Sequence, residues 1–291
     1  MNVKKNIIFS LILAVLIISG FFFTKTKLAA PTRTEVAATI FPLCDIAQNI
    51  AGSSLAVACI VPPGASPHTF DPASGLLRKL SDAQVIYAVG HGLDDWSVDF
   101  SKILGAEVVT VDKNIVLRPS IETGGDDPHY WLDVRNAVII AKNISEDLSV
   151  RFPEKKEIFT ENFLTYEKRL KSLHDDIINI LRDAEDKNIV TFHDAWYYFA
   201  AAYGLNVIGT YEPTAGREPT PQYLVALVEM LRQAKVKTFY TEPQFSSEKI
   251  KSFLQDNNLQ MAVIDPEGSL SGLDSYIAMM QYNAKTIAQN N

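Results

Sequence analysis

Short apolar runs bounded by turn residues recur along this 291-residue chain, at 36–41, 55–61, 85–89 and 108–111, and again at 189–192, 207–208, 238–240 and 261–264. Their length and composition suit buried strands. Longer stretches with helical spacing separate many of them, at 136–150, 220–234, 246–257 and 273–289. Strand alternating with helix predicts parallel sheets covered by helices. The rhythm breaks once, between Pro153 and about Asp186, where there is no Gly and no further Pro. There Phe159, Phe163, Tyr166, Leu170, Leu173, Ile177 and Ile180 step by four and three, which draws a narrow apolar stripe along one helix. At 1.5 Å per residue that helix runs roughly 45 to 50 Å, enough to touch two lobes in turn. A coiled-coil dimer would use the same stripe. An intrachain strut fits better, because the segment sits between two strand-and-helix halves. The expected fold is α/β: two lobes, each with a parallel sheet flanked by helices, joined by one long backbone helix. The boundaries read as an N-terminal lobe over 35–152, the linking helix over 153–186 and a C-terminal lobe over 187–291.

Residues 1–34 read differently. Lys4 and Lys5 precede an apolar run from Ile7 to Phe23, broken only by Ser10, Ser19 and Gly20. This is the pattern of an export signal, slightly long for a cleaved peptide and slightly short for a comfortable span, so cleavage and retention as an anchor both stay open. The expected location is the periplasm or the outer face of the cytoplasmic membrane. No Cys follows the run closely, so lipid attachment to a processed N-terminal Cys is not expected there.

Composition adds limits. Hydrophobic residues make up 47% and charged residues 21%, which is the range of folded globular proteins. The length is comfortable for two cores. A net charge of −7 without a Lys/Arg cluster in the body argues against a nucleic-acid partner. The two cysteines, Cys44 and Cys59, could pair in an exported protein. Their apolar surroundings suit two inert core thiols equally well. Neither belongs to a Cys-x-x-Cys pair, so neither reads as a metal ligand.

Five histidines carry the candidate chemistry. His68 follows Pro62-Pro63-Gly64-Ala65-Ser66-Pro67, a loop fixed by its prolines directly after a strand. His129 lies in Asp126-Asp127-Pro128-His129-Tyr130-Trp131. His193 ends the run 189–192 ahead of Asp194-Ala195-Trp196, where Asp194 reads as a helix cap. Strand ends that face helix starts are where α/β proteins place ligands. Three imidazoles and one carboxylate would make the nitrogen-rich tetrahedral shell that zinc prefers, whereas manganese favours more carboxylate oxygen. Asp265 and Glu242, each at a strand end before Pro, compete for the fourth position. His174 reads as a solvated face of the long helix, and Gly-flanked His91 as a neighbour of the cleft. A zinc hydrolase with Glu242 as general base is a rival reading, although no His-Glu-x-x-His pattern supports it. A surface adhesin with a structural metal is a third.

These segments resemble the motifs of the zinc and manganese solute-binding receptors of bacterial ABC transporters, the cluster A-I metal receptors. The stretches that carry the resemblance are Pro63 to Pro72, Asp127 to Asp133, His193 to Phe199 with Tyr203-Gly204-Leu205, Glu212-Pro213, Glu218 to Pro221, and Thr241 to Phe245. It covers the chain from about Glu35 to the C-terminus and is similar to the zinc-type branch in particular. The resemblance implies a two-lobed receptor, without catalysis, that carries zinc or manganese as its transported ligand and hands it to a membrane permease. It implies His68, His129, His193 and Asp265 as ligands, with Glu242 a lesser candidate, in a protein expected to act as a monomer. The branch's long His-rich loop before the second ligand is replaced here by Ile121 to Asp127 alone.

Overall fold

The computed structural model describes residues 33–120, 125–214 and 216–291. The export-signal run and the tip of the loop at 121–124 lie outside the described residues. Each of the eight apolar runs contributes a strand: β1 (Thr34–Ala38), β2 (Ala56–Cys59), β3 (Val85–Ala88), β4 (Glu107–Thr110), β5 (Asn188–His193), β6 (Asn206–Glu212), β7 (Thr238–Thr241) and β8 (Gln260–Val263). They form two parallel four-stranded sheets with the same order, β2-β1-β3-β4 and β6-β5-β7-β8. In such sheets the chain reverses its direction of winding beside the first strand, between β1 and β3 and between β5 and β7. The carboxyl ends there open a crevice.

The helices are α1 (Phe41–Ala51), α2 (Ser74–Lys79), α3 (Trp96–Leu104), α4 (Val134–Arg151), α5 (Lys156–Arg182), α6 (Tyr197–Tyr203), α7 (Pro221–Ala234), α8 (Lys251–Asp256) and α9 (Tyr276–Asn290). Several bounds differ from the pattern reading. Phe41 opens α1 instead of closing a strand, because Pro42 is pre-set for a first helical turn. The stretch 246–257 divides into a 3-10 turn, Ser247–Lys249, and the short α8. The long helix α5 starts only after a 3-10 turn at Pro153–Lys155 and has 27 residues, so it spans about 40 Å.

Strand periodicity divides the cores. Val36 and Ala38 of β1 face the same apolar cluster as α1, α4 and the stripe of α5, whereas Ala37 packs on the other face with Ile86, Leu80 and Phe100. In the second lobe Ile189, Tyr240 and Ile264 join the α5 side, and Val190, Phe192 and Phe239 pack with Leu227, Leu231 and Leu254. One continuous core therefore runs through both lobes along α5. Its stripe is occupied within the chain: Phe159, Tyr166, Leu170, Leu173 and Ile177 are all buried. Asp45 of α1 ties the parts together, accepting from Tyr166 Oη of α5 at 3.3 Å and from the Tyr276 N–H at the start of α9 at 3.0 Å. His174 departs from expectation. It is half-buried with Nδ1 3.2 Å from Tyr203 Oη of the second lobe, so the flank assigned to solvent is a contact between the long helix and that lobe. Cys44 and Cys59 are joined as a disulfide that links α1 to the end of β2.

Candidate metal centre

Loops at the carboxyl ends of both sheets converge on one point. After β2 the chain makes a 3-10 turn, Pro67–Thr69, whose position is fixed by Trp96 Nε1 donating to the Pro67 carbonyl at 3.1 Å. This turn presents His68, half-buried. His129 precedes another 3-10 turn, Tyr130–Leu132, which Tyr130 Oη pins to the Val89 carbonyl at 2.9 Å. His193 is the last residue of β5 and stands in register with Glu212 of β6. Both His129 and His193 are buried.

The donor atoms of the three histidines lie within 4.8 Å of one another, and among the described residues no other such group occurs. His68 Nε2 is 3.2 Å from His129 Nε2, which in turn is 3.4 Å from His193 Nε2. Two unprotonated ring nitrogens repel at such distances, so the approach is favourable only with a proton or a cation between them. A tetrahedral ion with bonds of about 2.0–2.1 Å to nitrogen separates its ligands by about 3.3–3.4 Å, so the spacing suits a bound cation.

The opposite ring nitrogens are held by carboxylates. Asp127 Oδ1 lies 2.9 Å from His129 Nδ1 and also accepts the His129 N–H at 3.0 Å. Glu242 Oε1 lies 2.8 Å from His193 Nδ1 and accepts from Trp196 Nε1 at 3.0 Å, while its Oε2 accepts from Gln244 Nε2 at 2.6 Å. A carboxylate on Nδ1 fixes the tautomer and aims Nε2 at the common point. Burial by itself lowers the proton affinity of His193, but Glu242, with Asp194 and Glu212 behind it, outweighs that and leaves it above the ordinary value. Among the described residues His68 has no carboxylate partner, and burial together with the two other imidazoles holds it well below the ordinary value. It therefore stays neutral, the form that binds a cation.

Glu242 and Asp265 stand outside the group of three. Both Glu242 oxygens accept hydrogen bonds, and Oε1 serves His193. Asp265 follows β8, fully buried, and its oxygens accept the backbone N–H groups of Glu267 at 2.9 Å and Leu270 at 2.7 Å. α6 begins at Tyr197, with Trp196 rather than Asp194 at its cap position. Asp194 instead lines a cavity of about 320 Å³ with the three histidines, Asp126 and Arg217. His91 shares that cavity wall, with Nε2 2.9 Å from Asp112 and Nδ1 3.6 Å from Asp126. It takes a left-handed backbone, φ 55°, between Gly90 and Gly92.

Sequence reasoning gave no individual role to the side chains of Asp127, Trp196, Glu212 and Glu267. Asp127 carried a signal, since an acid two residues before a loop His can turn back onto its ring. Glu267 carried none. Burial pushes its carboxyl well above the usual range, with the charges of Glu242 and Asp265 adding to the effect.

Residues 36–290 match the family described as the periplasmic zinc-uptake complex component A. The chain is 33% identical over 307 residues to the manganese ABC transporter substrate-binding lipoprotein PsaA of Streptococcus mitis, covering 98% of each chain. It is 28% identical over 318 residues to the zinc-binding protein AdcA of Streptococcus pyogenes, covering 98% of this chain and 61% of that protein. Among solved structures, the periplasmic zinc-binding protein TroA of Treponema pallidum superposes with a TM-score of 0.78 at 25% identity, covering 89% of this chain and 99% of the other.

Proposed function

Because the chain belongs to this family of metal-binding substrate receptors of ABC transporters, which are not enzymes, we propose that it captures zinc outside the cytoplasmic membrane and delivers it to a membrane permease. The relatives named for manganese and for zinc make a divalent cation the common cargo. The observation that favours zinc is the donor set: three imidazole nitrogens within 4.8 Å of one another, two of the pairs at 3.2 and 3.4 Å, with two of the rings steered by buried carboxylates. Nitrogen-rich four-coordinate shells favour zinc over manganese, and zinc also stands above manganese in intrinsic affinity for such ligands.

In this reading His68, His129 and His193 are ligands, and Asp265 supplies the fourth donor. Its carboxylate is the buried acid at the end of β8, and release of the Glu267 and Leu270 N–H groups would free its oxygens. The ion brings positive charge to a pocket lined by Asp126, Asp127 and Asp194, which favours its capture. With the α5 stripe occupied inside the chain, the receptor works as a single copy, tethered or released at the outer face of the membrane. Competition titration of purified metal-free protein tests the metal. Zinc should bind at least about 100-fold more tightly than manganese. Equal affinities, or tighter manganese, would make this a manganese receptor.

A further inference from the structure

We infer that Tyr198 is a positioning residue that fixes His129 against His193 across the two lobes and thereby sets how slowly the ion is released. This rests on the receptor reading above, with both histidines as ligands. The segment before His129 turns back on itself, so that Asp127 and Arg118 face each other. The Asp127 N–H donates to the Arg118 carbonyl at 2.9 Å. The reciprocal rung is not made directly. The Tyr198 hydroxyl is inserted there instead, accepting the Arg118 N–H at 2.9 Å and donating to the Asp127 carbonyl at 3.2 Å. The neighbouring Arg118 guanidinium lies over the Tyr197 ring at 4.3 Å.

Tyr198 comes from the other lobe, five residues past His193 on the β5–α6 segment, and is itself buried. One rigid piece of the second lobe thus touches the first-lobe ligand segment twice: His193 meets His129, and Tyr198 holds Asp127, whose side chain orients the His129 ring. The spacing of the two imidazoles is set before any ion arrives, and ligands ordered in advance bind more tightly because less ordering is left to do. Without the hydroxyl, the Arg118 N–H can reach the Asp127 carbonyl directly. The loop then closes on itself and lets go of the second lobe. The lobes themselves stay docked through Trp131 Nε1 on the Pro266 carbonyl, Tyr276 Oη on the Trp131 carbonyl and the Gly64 N–H on Ser269 Oγ.

The test is Y198F in the full chain, read three ways: the rate of zinc release to a chelator by stopped flow, the visible spectrum of the cobalt form, and the melt of the metal-free protein. Release should be about tenfold faster, in the range for loss of a group that orients a ligand. The cobalt spectrum should keep its tetrahedral signature, and the melt should move by less than about 3 °C. Release within about twofold of the native rate overturns the inference. So does a large fall in the melt with loss of the cobalt spectrum, which would make the hydroxyl a structural rung only. A native chain that binds neither zinc nor cobalt would instead sink the receptor reading itself.

Discussion

Replacing Glu242 by Gln isolates what a buried carboxylate does for a metal-binding imidazole. The side chain is 1% exposed and keeps its shape in the variant. The amide oxygen can still accept from His193 Nδ1 and Trp196 Nε1, and Gln244 can turn its own amide to meet the new NH₂ group. What is lost is the charge on the 2.8 Å contact to His193. A hydrogen bond to a charged partner is worth about 1.5–3 kcal/mol against about 0.5–1.5 for a neutral one. The difference of about 1–1.5 kcal/mol is close to tenfold in affinity, at the lower edge of the 10–100-fold range for such partners. The pH dependence makes the prediction sharper. Glu242 raises the proton affinity of His193, so in the native protein a proton competes with zinc for Nε2 starting above the ordinary value of about 6.5. In Glu242→Gln that proton is held less tightly. The variant should therefore be about tenfold weaker near pH 8 and only a few-fold weaker near pH 6, where the native chain must first give up the proton. Competition titrations against a chromophoric chelator across this range measure the gap. Equal affinities near pH 8, or a gap that widens as the pH falls, would refute the account of Glu242 as the group that orients and charges His193.

Removing a ligand should cost more than removing its partner: His129→Ala is expected to weaken zinc on the order of 100-fold, and an unchanged dissociation constant would take His129 out of the shell. The Cys44–Cys59 bridge closes a loop of 15 residues, so the double substitution to Ala should lower stability by about 3 kcal/mol in a urea titration while zinc affinity stays within a few-fold. An unchanged unfolding midpoint would mean that the bridge adds nothing to folding. Gly268 sits at φ 68°, and a Cβ there would stand 2.2 Å from the Phe41 ring, so Gly268→Ala should lower the melt by several degrees through strain and the displaced ring together. A melt equal to the native one would show that the ring moves freely.

Much of the architecture was legible in the chain. Eight apolar runs became eight strands because strand burial depends on side chains at period two and on turn residues at the ends, both local properties. The stripe from Phe159 to Ile177 predicted a strut, since a 27-residue helix needs one covered side wherever it lies. The three histidines stood out for a similar reason: proline-fixed loops and strand ends take a side chain out of the core.

Convergence was another matter. His68 and His129 are 61 residues apart and His129 and His193 are 64 apart, so their meeting depends on strand order and on how the shared core along α5 seats one sheet against the other. Composition cannot choose between partners at such separations. Glu242 and Asp265 looked alike as acids before Pro, and only the fold gave the first to His193 and the second to a ring of backbone N–H groups. Asp194 had the local chemistry of a cap, and only the fold placed it in the wall of the histidine cavity. His174 had the spacing of an exposed flank until the second lobe brought Tyr203 to it. The sequence by itself determined the elements and the residues free to act, because those follow from local geometry and burial. The tertiary structure alone decided which of them face one another, because that follows from the path of the chain between them.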